Sequence, residues 1–252
     1  MFSNLPRPSS ITSRMTKGAL ITLLALLSSA CVSMHRVDAK PEFRQSLTEV
    51  TLLEAINPQA HILMGAPGVL ETSGISVRGK LAVAVAAGVE ISQLQSQSAA
   101  LTAAIQPHAP QLGVMLTDEI EKQLVARGVK VTRIAIPDRS IMRQMDYTSL
   151  NIATPYVLEI SLATGYQQIE GLYAPFVNSH VRLVNKSGRD VLYRDTIAYT
   201  ESDANPNATT MQTDIKYVFE NLESLYANGK IAAEGLSTGV KQVATKVVQQ
   251  LK

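Results

Sequence analysis

Three stretches decide the fold: Tyr156-Val-Leu-Glu-Ile-Ser-Leu-Ala163, Phe176-Val-Asn-Ser-His-Val-Arg-Leu-Val184 and Val191-Leu-Tyr-Arg-Asp-Thr-Ile-Ala-Tyr-Thr200. In the first, Leu158, Ile160 and Leu162 alternate with Glu159 and Ser161, the period-two pattern of a half-buried strand. In the second, Val177, Val181 and Leu183 share one face, and His180 lies on the less apolar face with Asn178 and Arg182. Asn185-Lys-Ser-Gly-Arg-Asp190 carries hairpin-loop chemistry, which makes Val191–Thr200 a return strand.

Helices flank this block. Leu112, Leu116, Ile120 and Leu124 step by four and define one face of an amphipathic helix. Gly128 stands where a helix-terminating glycine belongs, and the β-branched run Val129–Ile136 reads as a strand. Met211, Ile215, Val218, Leu222 and Leu225 repeat at 4-3-4-3 spacing, which predicts a helix seam ending at Asn228-Gly229. Ala232, Leu236, Val240, Val243, Val247 and Leu251 stripe a final helix. The order predicts an α+β fold: an antiparallel sheet of about four to five strands with helices packed on one face.

Residues 46–110 are harder to read. Leu47, Val50, Leu52 and Leu53 suggest a short helical turn ended by Asn57-Pro58, and His61–Met64 a buried strand. Gly65–Gly79 has loop composition, and Lys80–Gly88 alternates like a strand. Ile91, Leu94, Leu101 and Ile105 fall near helical spacing before the Pro107–Pro110 pair. Ile141, Met142 and Met145 suggest another short helix.

The first thirty residues read as an address. Arg7, Arg14 and Lys17 precede the apolar run Ala19–Leu27, no acid occurs before Asp38, and small residues follow. That is secretory-signal architecture, too short an apolar run to span a bilayer of roughly 30 Å. Met15 opens a compact signal of its own. Leu27-Ser-Ser-Ala-Cys31 resembles a bacterial lipobox. The resemblance implies cleavage before Cys31, a lipid on its thiol and amine, and, with Val32 rather than Asp next, sorting to the outer membrane. It also accounts for the single Cys of the chain in an oxidising compartment, where one Cys cannot pair internally. Residues 31–45 then form a lipidated tether, and 46–252 a periplasmic domain, less defined over 46–110 and sharper over 111–252.

Composition excludes other classes. The chain has 252 residues, 46% hydrophobic and 17% charged, with a net charge of +2. Removing the signal leaves 20 basic against 21 acidic residues, so no basic surplus points to nucleic acid. Gly235-Leu-Ser-Thr-Gly239 matches the G-x-S-x-G pattern, but it lies inside a helical stripe, and no His follows His180. A nucleophile elbow needs a strand before the Ser; small residues packing a helix closely explain the string better. The four His, at 35, 61, 108 and 180, form no ligand pair, and no phosphate loop is complete. No cofactor, metal or catalytic set is expected.

Gly165–Phe176 reads as a loop between two strands, with Tyr166, Tyr173 and Phe176 as candidate partner-binding aromatics. The run 112–200 plus the last helix resembles the small periplasmic domains of several outer-membrane lipoproteins, of the curli-secretion type and of auxiliary lipoproteins of lipid-transport ABC systems. The likeness lies in element order and in Gly128-Val-Lys-Val, Pro155-Tyr-Val-Leu and Lys186-Ser-Gly-Arg-Asp-Val-Leu. It implies a membrane-anchored protein with an envelope protein partner, and it allows a homo-oligomer. The expected function is a non-enzymatic accessory or assembly factor; the alternative is a lipid or small-molecule binder of a transport system.

Overall fold

The computed structural model describes residues 35–65, 91–109, 111–136, 147, 148, 150, 152–201 and 208–252. The signal, Cys31, the Lys80–Gly88 strand and the Ile141–Met145 helix lie outside the described residues.

The central unit is a long β-hairpin. Strands β4 (Tyr156–Ile160) and β5 (Ala163–Ile169) pair antiparallel with β6 (Leu172–Asn185) in one unbroken register, from Tyr156 opposite Asn185 to Ile169 opposite Leu172. The ladder deviates only at Ser161. Its amide donates to the His180 carbonyl at 3.0 Å, while the His180 amide donates to the Ser161 hydroxyl oxygen at 3.2 Å. A side-chain oxygen thus replaces a backbone carbonyl where the two strand segments join. Strand β7 (Val191–Tyr199) returns along the other edge of β6, as the hairpin-loop chemistry predicts, and β8 (Ala208–Met211) runs parallel beside it.

The remaining strands make the sheet mixed rather than antiparallel, and larger than four or five strands. β1 (Glu49–Leu53) lies parallel between β4 and β3 (Lys130–Ile134), and β2 (Ile62–Met64) lies parallel to β5. The described sheet has eight strands. β1 corrects the helical turn expected at 47–53. Val50 and Leu52 enter the main core, while Leu53 packs with Tyr147, Ile152, Val157 and Val184 on the opposite face. A strand buried on both faces shows no alternation, so apolar residues three apart imitate a helix.

The helices are α1 (Pro41–Ser46), α2 (Ile91–Ile105), α3 (Leu112–Ala126), α4 (Leu222–Ala227) and α5 (Gly229–Leu251). α3 buries Leu112, Leu116, Ile120 and Leu124, the predicted stripe, against α5 and the sheet. The Asn57 side chain caps it, accepting the Gly113 amide at 2.7 Å. α5 buries its predicted stripe from Ala232 to Leu251. Gly235 and Gly239 let it lie close: a Cβ on Gly239 would come within 2.5 Å of the Tyr199 ring. The expected 211–225 helix is corrected. That stretch holds the end of β8, a 3-10 turn over Ile215–Tyr217, a backbone bridge from Phe219 to Tyr173 and only then α4, opened by an Asn221–Ser224 capping box.

The tether expected over 31–45 is corrected from His35 onward, its earlier residues lying outside the described ones. From His35 the chain packs on the domain. Val37 and Arg194 exchange two backbone hydrogen bonds of 2.8 Å, Ala39 is buried, and the Phe43 ring meets Tyr156 edge-on at 5.1 Å.

Candidate functional site

The tip of the β5–β6 hairpin is the most distinctive surface among the described residues. Its turn is Ile169-Glu170-Gly171-Leu172, with φ of +51° at Glu170 and +87° at Gly171. Two successive positive φ values are the pattern of a type I′ turn, whose twist matches the flanking strands. Gly171 adopts this freely. Glu170 does not: a side chain longer than Asn or Asp in the left-handed region carries a conformational cost.

A groove of about 430 Å³ lies beside this turn. One wall comes from Ile169, Glu170, Leu172 and Ala174 of the hairpin, and the other from Glu201 and the segment holding Thr213, Ile215 and Val218. Leu172 is 41% exposed and Ile215 76%. The second wall is tied down by polar contacts. The Thr213 amide donates to Glu201 at 3.1 Å, and its hydroxyl donates to the same carboxylate. The Asp214 amide donates to the Tyr199 hydroxyl at 3.0 Å. The amide and ammonium of Lys216 both reach the Asp214 carboxylate, which holds that carboxyl below its ordinary range. Lys216 also stands 4.6 Å from the centre of the Tyr217 ring. Glu170 has no hydrogen-bond or ion-pair partner among the described residues.

The expected aromatic loop is corrected here. Gly165–Phe176 is strand, turn and strand, so its side chains alternate between faces. Tyr166 is fully buried; its hydroxyl donates to the Ala232 carbonyl at 3.2 Å, and its ring lies 5.7 Å from Phe219. Burial also drives its phenol strongly upward, so it stays protonated. Phe176 is 2% exposed, and Tyr173 is half-buried with its backbone bridged to Phe219. Tyr166 and Phe176 are therefore core residues, and neither ring is available as an exposed anchor. The apolar groups that do face outward are Leu172 and Ile215. Gly171 supplies half of a two-residue turn signal, but Glu170 stands where Asn, Asp or Gly is usual, so the turn is only partly legible in the sequence.

The other candidates fall apart spatially or are satisfied. Ser237 sits within α5, and its hydroxyl donates to the Ala233 carbonyl at 2.9 Å, so the G-x-S-x-G string is not a strand-turn-helix elbow. His180 lies on the open face of the sheet, its Nδ1 2.9 Å from the Thr196 hydroxyl. His61 is buried with Nδ1 2.9 Å from the Thr164 hydroxyl, and desolvation lowers its pKa to about 4. Glu159 receives the Arg182 guanidinium in a fork, at 2.7 Å for the shortest contact, and the Tyr147 hydroxyl. Among the described residues no group of three or more His, Cys, Asp or Glu side chains is placed to hold a metal, and no helix is long and apolar enough to cross a membrane. Cys31 lies outside the described residues.

No family model matches this sequence, and no curated protein does. Solved structures with a low overall similarity to this chain include two bacterial proteins. Protein XCC0632 of Xanthomonas campestris, described as DUF330, is 14% identical; the match covers 85% of this chain and 90% of that one, with a TM-score of 0.39. The hypothetical protein CT253 of Chlamydia trachomatis is 11% identical over 81% of this chain and 96% of its own, with a TM-score of 0.35. The functional reading therefore rests on this chain's own residues.

Proposed function

We propose that this chain is a non-enzymatic, lipid-anchored envelope protein that docks a protein partner, as an accessory or assembly factor, through the groove at the hairpin tip. The anchor is Cys31 of the lipobox-like Leu27–Cys31, placing the domain in the periplasm on the outer membrane. Two or more acyl chains hold a protein on a bilayer far more firmly than one. Because the chain joins the domain at Val37, the link from Cys31 spans at most about 20 Å, a much shorter leash than a free tether to residue 45.

The observation that carries the docking reading is the pairing of Leu172 with Ile215. Both are large, apolar and exposed, and they flank one groove on two different elements. Single exposed apolar residues are ordinary; here two of them, on different elements, line one groove whose rim also carries Glu170, Glu201 and Thr213. A second reading, a lipid or small-molecule ligand of a transport system, draws on the groove's volume, which falls within the range of ligand pockets, roughly 300–1,000 Å³.

Two experiments test the proposal. Cys31→Ala should move the full chain from the membrane to the soluble fraction; full membrane retention would reject the anchor. After crosslinking in cells, affinity purification of the full chain should recover a partner that the Leu172→Ser/Ile215→Ser variant loses. Recovery at the wild-type level would reject the groove. Partner loss accompanied by extraction of a bound lipid from the wild type alone would favour the second reading.

A further inference from the structure

We propose that the occupant of the groove is a peptide segment in which a lysine or arginine is flanked by aliphatic side chains. This inference rests on the docking reading and adds the chemistry of the partner. The apolar part of the groove comes from Ile169, Leu172, Ile215 and Val218, and its charged part is Glu170 and Glu201. No Lys, Arg or His lines it among the described residues. The nearby Lys216 is already engaged, 3.2 Å from Asp214 and over the Tyr217 ring. The groove thus presents two carboxylates of the same sign beside an aliphatic surface.

The two acids play different parts. Glu201 is oriented by the amide and hydroxyl of Thr213, so its carboxylate is held in place before any partner arrives. Glu170 is free of protein partners among the described residues and sits at a left-handed position that Asn or Gly would fill at lower cost. Lys and Arg complement such a site in both respects: the methylene stem covers apolar surface, and the cationic head reaches the carboxylate in a charge-assisted hydrogen bond. A bilayer with anionic headgroups would be repelled by the same acids, and an uncharged acyl chain would make no use of them.

The test uses the full chain in detergent, isotope-labelled, with two synthetic peptides of equal length. One alternates leucine with lysine, and the other alternates leucine with glutamate. The lysine peptide should shift the amide signals of Ile169–Ala174 and Thr213–Val218, and the glutamate peptide should leave them unmoved. Raising salt well above physiological should weaken the response, because the Debye length contracts. Glu170→Gln/Glu201→Gln, which keeps size and hydrogen bonding, should weaken lysine-peptide binding at least about fivefold. Equal shifts from both peptides, or an unchanged affinity in the double Gln variant, would overturn the charge inference and leave the docking reading standing. No shift from either peptide at this groove would overturn both. Leu172→Ser/Ile215→Ser separates the apolar share: loss of lysine-peptide binding is expected, and retained binding would show that the aliphatic surface is not used.

Discussion

His61 is a titratable side chain set inside the fold, 7% exposed between β2 and the Thr164 hydroxyl. Its pKa falls from 6.5 to about 4 because burial disfavours the imidazolium. The unfolded chain therefore takes up this proton first as pH falls. Stability from this group is complete above about pH 6.5, declines down to about pH 4 and is flat below, a loss of about 3 kcal/mol at most. Urea midpoints measured from pH 7 to 4 should fall, and His61→Gln should remove much of that slope; an identical slope in the variant would refute the assignment. At Glu170 the sign is reversed. Glu170→Asn relaxes a left-handed strain and should raise stability by about 1 kcal/mol, read from the same midpoints. Individual residues were unevenly legible. The alternation around Leu158 and Val181 was plain. The fate of Tyr166 was not, because a ring in a polar, glycine-bearing stretch fits a loop and a buried strand equally well, and only the partner strand decides.

Helix α5 tests packing at the scale of the element. Gly235 faces the Tyr217 and Tyr166 side chains and Gly239 those of Tyr199 and Val177, so a methyl added at either meets side-chain atoms rather than space. Gly239→Ala should lower stability by about 1–3 kcal/mol through overpacking, despite the gain in helix propensity; thermal denaturation should show it. A neutral or stabilising result would mean that α5 rides higher on the sheet than described. Helices α3 and α5 were readable from periodicity because solvent writes their outer positions, and β4, β6 and β7 because Glu159, His180, Arg182 and Arg194 keep polar positions between the core-facing ones even though Val157 and Val184 on that second face are covered. β1 was not, since both its faces are covered. The 211–225 seam misled for another reason. Its 4-3-4-3 spacing is generated by a strand, a 3-10 turn and a helix in succession, and Ile215 of that seam points outward at 76% exposure.

At the scale of the whole molecule, the strap at residues 35–39 joins the segment after the proposed anchor to the sheet. Asp195 is buried beneath it, with Arg36 Nε at 4.0 Å and the Thr209 hydroxyl at 2.6 Å. Arg36→Ala should leave that carboxylate without its cation and increase hydrogen exchange at the Val37 amide; Asp195→Asn in the same chain should restore part of the protection. Unchanged exchange in Arg36→Ala would mean that the two backbone hydrogen bonds to Arg194 hold the strap alone. The groove beside Glu170 is where we propose that a partner docks. Its most direct test is a photo-crosslinking residue placed at Ile215 of the membrane-bound chain in cells, with Val125, 54% exposed on α3, as the control position. A discrete protein adduct is expected from position 215, one that Leu172→Ser removes and position 125 never yields. The same adduct from both positions, or an adduct at 215 indifferent to Leu172→Ser, would contradict it.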